Sequence, residues 1–286
     1  MSWGVSWRLA GAAIILLLAS SGIGAAETLS LDGDFVQGGL VRGRTEPGAR
    51  VIFAGRRMRV AEDGGFVIGF GRDQGPSVPL EVTLRSGARI ERSLAVAARV
   101  WDIQRIDGLP ERQVTPSPED LVRIRADAEQ IAAARARDSP EPFFASGFAW
   151  PLIGRISGVY GSQRILNGEP RQPHFGGDIA APIGAAVVSA AAGVVALTHE
   201  DMFFTGKTVV IDHGFGLSSA YSHLSEITVA AGARVAQGQT IGRVGATGRV
   251  TGAHLDWRVN LFDIRLDPAL LAPPMPPLAA PAGAGG

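Results

Sequence analysis

Three short stretches of this chain carry the residue types that do chemistry on polar substrates. The first is His174-Phe175-Gly176-Gly177-Asp178, the second Tyr221-Ser222-His223-Leu224, and the third His254-Leu255-Asp256-Trp257-Arg258. Imidazole nitrogen with carboxylate oxygen is a good partial donor set for a divalent ion such as Zn²⁺. Paired glycines between His174 and Asp178 disfavour a helix, so the spacing predicts a turn or strand end where both side chains converge. In a strand, His254, Asp256 and Arg258 share one face while Leu255, Trp257 and Val259 point to a core. An exposed strand holding a plain Asp256–Arg258 ion pair satisfies the same pattern. His223 suits a general base or a donor to a transition state, and equally a structural histidine. His199, in a polar loop, and His213, before Gly214, read as structural.

Composition narrows the chemistry. The 286 residues include no cysteine, which excludes a disulfide framework, a zinc ribbon, a thiol nucleophile and a cysteine-anchored lipid. Any metal must rest on histidine and carboxylate. The formal net charge is +0, so nothing favours nucleic acid as a partner.

The elements that must position these residues are mainly β. Residues 1–26 read as a signal peptide: Arg8, an apolar run over 9–19, and small residues ending at Ala26, where cleavage is expected. A retained anchor is the alternative, although the run is shorter than the ~20 residues a spanning helix prefers. No later span is expected once the signal is removed, so the mature protein is expected to be exported and periplasmic. Residues 28–99 predict a small β-sandwich-like domain of about six short strands between closely spaced turn signals. It has no histidine, and its arginines alternate as solvated faces do, so positioning or partner contact is expected of it. Residues 100–147 form a linker with one helix at about 117–137, capped at Ser117 or Thr115. Leu121, Ile124, Ala128 and Ile131 supply its apolar positions. Residues 148–272 alternate short apolar runs with glycines, as antiparallel strands do, and 273–286 read as a disordered Pro/Ala/Gly tail.

Taken together, residues 148–270 resemble the lysostaphin-type (LytM) zinc metallopeptidases. The resemblance is carried by His174-x-x-x-Asp178, Ala180-Ala181-Pro182-Ile183-Gly184, Val210-Ile211-Asp212-His213-Gly214, Tyr221-x-His223-Leu224, Gly238-Gln239-x-Ile241-Gly242, Gly245-x-Thr247-Gly248-x-x-Thr251-Gly252-x-His254-Leu255 and Asp267-Pro268. It implies a two-sheet antiparallel β fold with a groove over the metal. It also implies a secreted metalloendopeptidase that cuts peptide cross-links of bacterial peptidoglycan through a metal-activated water. His174 and Asp178 match the first two zinc ligands, and His223 and His254 match the catalytic histidines. Asp256 stands where the family carries its third ligand, a histidine.

One histidine with two aspartates gives a formally neutral zinc site, where two histidines and one aspartate leave +1. A less positive ion acidifies its water less. One Zn²⁺ per chain held by His174, Asp178 and Asp256, a harder ion such as Mn²⁺, or no ion are all compatible with the sequence. The alternative function is a degenerate relative that binds peptidoglycan or activates another cell-wall hydrolase or divisome component.

Overall fold

A computed structural model describes residues 28–106 and 117–278. The expected signal peptide, apart from this, lies outside the described residues. Among those described, no helix is long and apolar enough to cross a membrane.

The leading part holds strands β1 (Leu29–Gly33), β2 (Leu40–Thr45), β3 (Arg50–Phe53), β4 (Arg56–Met58), β5 (Gly65–Gly69), β6 (Ser77–Thr83) and β7 (Arg89–Ala95). They make two antiparallel sheets, ordered β1-β2-β5 and β4-β3-β6-β7. Alternation explains the packing. In β6, Val78, Leu80 and Val82 are buried while Ser77, Pro79 and Glu81 are exposed. Val41, Val51, Phe53, Phe66 and Ile68 come from the other strands, and Phe70 follows β5, to fill the space between the two sheets. The strand runs expected around Val51, Phe66 and Leu80 are all present.

Next come β8 (Ile103–Ile106), helix α1 (Pro118–Arg135) and a short 3₁₀ turn at Phe143–Ser146. Ser117 caps α1, its hydroxyl accepting from the Asp120 N–H at 3.1 Å, and Pro118 opens the first turn. The buried stripe of α1 differs from the expected one. Asp127 and Ala134 are buried, with Ile124 and Ile131 half-buried, while Leu121 and Ala128 face outward. The reason is the surface beneath: Ala134 meets a shallow floor of Ala196, Val210 and Ala220. Asp127 accepts from the Phe203 N–H at 2.7 Å, so a carboxylate is satisfied where an apolar residue was expected.

The remaining strands are β9 (Arg155–Gly158), β10 (Gln163–Leu166), β11 (Glu169–Pro170), β12 (Gly177–Ala180), β13 (Ala186–Val188), β14 (Gly193–Met202), β15 (Gly206–Gly214), β16 (Leu217–Ile227), β17 (Arg234–Val235), β18 (Thr240–Val244), β19 (His254–Leu261) and β20 (Ile264–Leu266), with a last turn of helix, α2 (Pro268–Leu271). The main row runs β17-β14-β15-β16-β19-β12-β9. β18 and β13 branch from the far end of the long β16, so the two expected layers are hydrogen-bonded through one shared strand. β8 pairs in parallel with β10 in a small separate sheet, a contact the linker sequence did not announce. The tail expected to lack order is held at its start, where the Trp150 Nε1–H donates to Pro273 O at 2.7 Å.

His213 sits in the core of this region. Its Nδ1–H donates to Ala192 O at 2.7 Å, and Nε2 lies 2.7 Å from the Ser219 hydroxyl. Burial holds its imidazole down to about 4. An unfolded histidine titrates near ~6.5, so below that pH the unfolded chain binds a proton that the folded chain refuses. The neutral ring therefore contributes stability that is complete above pH ~6.5 and lost progressively toward ~4, about 3 kcal/mol in all. His213→Gln is expected to flatten the fall in Tm between pH 7 and 4. Parallel Tm curves for parent and variant would refute this account.

Candidate metal centre

β12 and β19 lie side by side, with Asp178 directly opposite Asp256 and Ala180 opposite His254. On the far side of β19, Ser222 of β16 faces Asp256. Alternation then puts Asp178, Asp256 and Arg258 on one face of the main sheet, with Ile179, Leu255, Trp257 and Val259 fully buried on the other. Helix α1 covers part of the same face through Ala134. Just before β12, His174 is pinned by two backbone bonds: its N–H donates to Ser162 O, and its carbonyl accepts from the Gly161 N–H, both at 2.8 Å.

The result is a cluster in which His174, Asp178 and Asp256 each offer a ligand atom, all within 4.8 Å of one another. His174 Nε2 and Asp178 Oδ1 stand 3.1 Å apart, and both are buried without a properly directed hydrogen bond. Two donors around a tetrahedral zinc stand about 3.4 Å apart. Orphaned buried atoms at that spacing, with an N,O,O donor set, fit a divalent ion. Burial pulls the His174 imidazole down, but Asp178 and Asp256 outweigh it and raise it overall.

Asp256 is only 2% exposed. Arg258 grips it, Nε lying 3.0 Å from each oxygen and Nη2 2.6 Å from Oδ2. Burial alone would raise this carboxyl. Arg258 first, then His174 and His223, reverse the sign and hold it down to about 2. The ion pair that the alternation allowed is therefore real, but it is buried in the cluster rather than displayed on a surface strand.

His223 and His254 flank the cluster, with ring centroids 4.9 Å apart. His254 Nε2 is 3.9 Å from Asp178 Oδ1. Strict alternation would turn His223 away from Ser222's face and into the core. Instead its backbone takes the left-handed region, φ 65°, where the pairing of β16 passes from β19 to β18. That local strain aims the ring at the cluster, beside His254 and Asp256. His223 Nδ1 is 2.9 Å from Thr247 O, and His254 Nδ1 is 2.9 Å from Gly252 O. Donating Nδ1–H to a carbonyl leaves each Nε2 as a proton acceptor. Burial holds the His223 imidazole below its ordinary value, against the opposing pull of Asp256. His199 lies apart and caps its own turn through the Asp201 N–H.

Some residues that shape the site carried no signal that was read as functional. A Cβ on Gly176 would stand 2.5 Å from Asp256 Oδ1, and one on Gly158 would stand 2.2 Å from Asp178 Oδ2, so both positions require glycine. Thr247 lay in a recognised motif but without a role of its own. Arg72 departs from the expectation that the arginines of residues 28–99 are solvated. It is 7% exposed, and its Nε donates to Gly161 O at 2.9 Å. Its guanidinium also lies over the Trp101 ring at 5.1 Å. Through Gly161 the leading β strands thus brace the segment that carries His174. Arg72→Ala is expected to cost about 1–3 kcal/mol, since it leaves a buried carbonyl unpaired. Hydrogen exchange at the His174 amide should accelerate with it; an unchanged exchange rate there would refute the brace.

A β protein that gathers three side chains able to hold a metal and two further histidines around one sheet face has the make-up of a hydrolase domain. Residues 172–268 match Peptidase family M23. A solved crystal structure of a peptidase M23 from Pseudomonas aeruginosa is similar over 82% of this chain and 93% of that one, with 33% identity and a TM-score of 0.64. The chain belongs to peptidase family M23. Over 106 residues it is 42% identical to the peptidoglycan DD-endopeptidase ShyA of Vibrio cholerae, covering 37% of this chain and 24% of that protein. Over 129 residues it is 38% identical to the DD-carboxypeptidase/endopeptidase Mpg of Neisseria meningitidis, covering 45% of this chain and 30% of that protein. The chain thus spans less than a third of the length of these two relatives.

Proposed function

We propose that this chain is an exported metalloendopeptidase that cuts peptide cross-links of bacterial peptidoglycan. One zinc per chain would be held by His174, Asp178 and Asp256. The observation that carries the reading is the pair of orphaned, buried donors, His174 Nε2 and Asp178 Oδ1, beside a buried carboxylate and two histidines each held through Nδ1 by a backbone carbonyl. The name of ShyA, a peptidoglycan DD-endopeptidase, supports peptidoglycan as the substrate. The N-terminal signal supports export to the periplasm.

A divalent ion in this cluster supplies Lewis acidity to the scissile carbonyl and to the attacking water. The chain's own part is proton handling. His254 Nε2, beside Asp178, accepts the proton of the attacking water. The imidazolium so formed returns it to the departing amine nitrogen. His223 stands across from it, ring centroids 4.9 Å apart, where its Nε2 accepts a hydrogen bond from the same water and orients it for attack. Carbonyls at Thr247 and Gly252 keep both rings in the required orientation.

A second reading has one observation in its favour. Asp256 is already bonded to Arg258, which would suit a domain that binds peptidoglycan or activates another cell-wall hydrolase without cutting. The test is digestion of purified, cross-linked peptidoglycan by the mature protein, with and without chelator and added zinc. Zinc-dependent release of new amino groups is the expected result. Full activity in metal-free protein would overturn the metalloenzyme reading, and tight wall binding without hydrolysis would favour the second one.

A further inference from the structure

Resting on the metal site proposed above, we infer that Asp256 and Arg258 act as one neutral ligand unit, in place of a single imidazole. The two side chains lie on the same face of β19, two residues apart, and share three nitrogen–oxygen contacts of 2.6 to 3.0 Å. Room for the guanidinium to fold back comes from the neighbours. Ala220 is the residue opposite Arg258, and Gly176 leaves space where a Cβ would stand 2.7 Å from Arg258 Cγ. A carboxylate has about four lone-pair sites, so the arginine leaves a direction free for an ion. The fork also fixes the carboxylate plane, as an outer partner does for a ligand.

The charge count is the consequence. Asp178 and Asp256 contribute two negative charges, Arg258 cancels one, and His174 is neutral as a ligand. The cluster therefore carries the same net negative charge as two imidazoles with one carboxylate. The neutral zinc centre expected from the ligands alone becomes a singly positive one when Arg258 is counted. Asp256 without Arg258 would over-neutralise the ion. A histidine at 256 with Arg258 retained would leave a partly buried cation beside the ion, without the carboxylate that now grips it.

The decisive experiment measures zinc affinity by competition with a chromogenic chelator, on metal-stripped mature parent, Arg258→Gln, Asp256→His and the double variant. Affinity should follow net charge: Arg258→Gln tightest, parent and double variant within about threefold, Asp256→His weakest, with about tenfold or more per unit charge. Metal-free Arg258→Gln should also melt below the metal-free parent and gain more on adding zinc. Should Asp256→His fail to fold, Arg258→Lys decides instead. It keeps the charge without the fork, and is expected to bind zinc more weakly than Arg258→Gln. Zinc binding that is tighter in Asp256→His than in the parent, or equal in Arg258→Gln and Arg258→Lys, overturns the inference while leaving a metal site intact. Absence of zinc from every protein overturns the metal reading itself.

Discussion

Asp178→Ala is expected to fold, to lose zinc binding, and to release no peptide from purified peptidoglycan, a loss of at least about a thousandfold. Asp178 is the centre of the cluster: its Oδ1 lies 3.1 Å from His174 Nε2 and 3.9 Å from His254 Nε2. Removing it deletes an anionic ligand and the neighbour of the proposed base at once. Stability should move the other way. Asp178 Oδ1 has no hydrogen-bond partner, and the carboxylate faces a second one, Asp256, across the β12–β19 pair. Taking away one of two facing like charges relieves the metal-free fold, and the partly exposed contact with His174 that goes with it is worth at most about 1 kcal/mol. The metal-free variant should therefore melt at or above the metal-free parent. Calorimetry with and without zinc, beside the digestion assay, checks both halves. An Asp178→Ala protein that still binds one zinc and still digests the wall would dismiss this carboxylate as a ligand.

His254→Ala and His223→Ala are expected to keep zinc and to lose about 10²–10⁴-fold in kcat, with KM little changed. Each ring is oriented by a backbone carbonyl through Nδ1, so that Nε2 is the nitrogen left free for proton transfer. That arrangement suits proton transfer more than ligation. The split between metal content and turnover is the informative readout. A variant that loses zinc along with activity would move that histidine into the ligand set. His223 carries an added condition, because its ring reaches His254 and the cluster through a left-handed backbone. His223→Gly relieves that strain, so it should be at least as stable as His223→Ala while equally inactive.

The sequence determined what neighbouring residues decide among themselves. Alternation in His254–Val259 put Leu255, Trp257 and Val259 in the core and set Asp256 beside Arg258. Ser117 and Pro118 fixed where α1 begins, because capping is a matter of residues three apart. Turn glycines delimited the strands of the leading sandwich. The motifs from His174 to Asp267 sufficed for the family. What the chain could not show locally were contacts between residues far apart in it. The buried face of α1 follows the small side chains of a sheet some sixty or more residues away, so Asp127 and Ala134 turn inward rather than Leu121 and Ala128. Arg72 looks like any strand-end arginine until Gly161 is laid against it. Asp256 looks like a lost ligand until Gly176 closes over it and Arg258 folds back onto its carboxylate. Local sequence fixes which side of an element a residue occupies. Only the folded chain fixes which charges are taken out of water together, and there each must be paired, satisfied or given an ion.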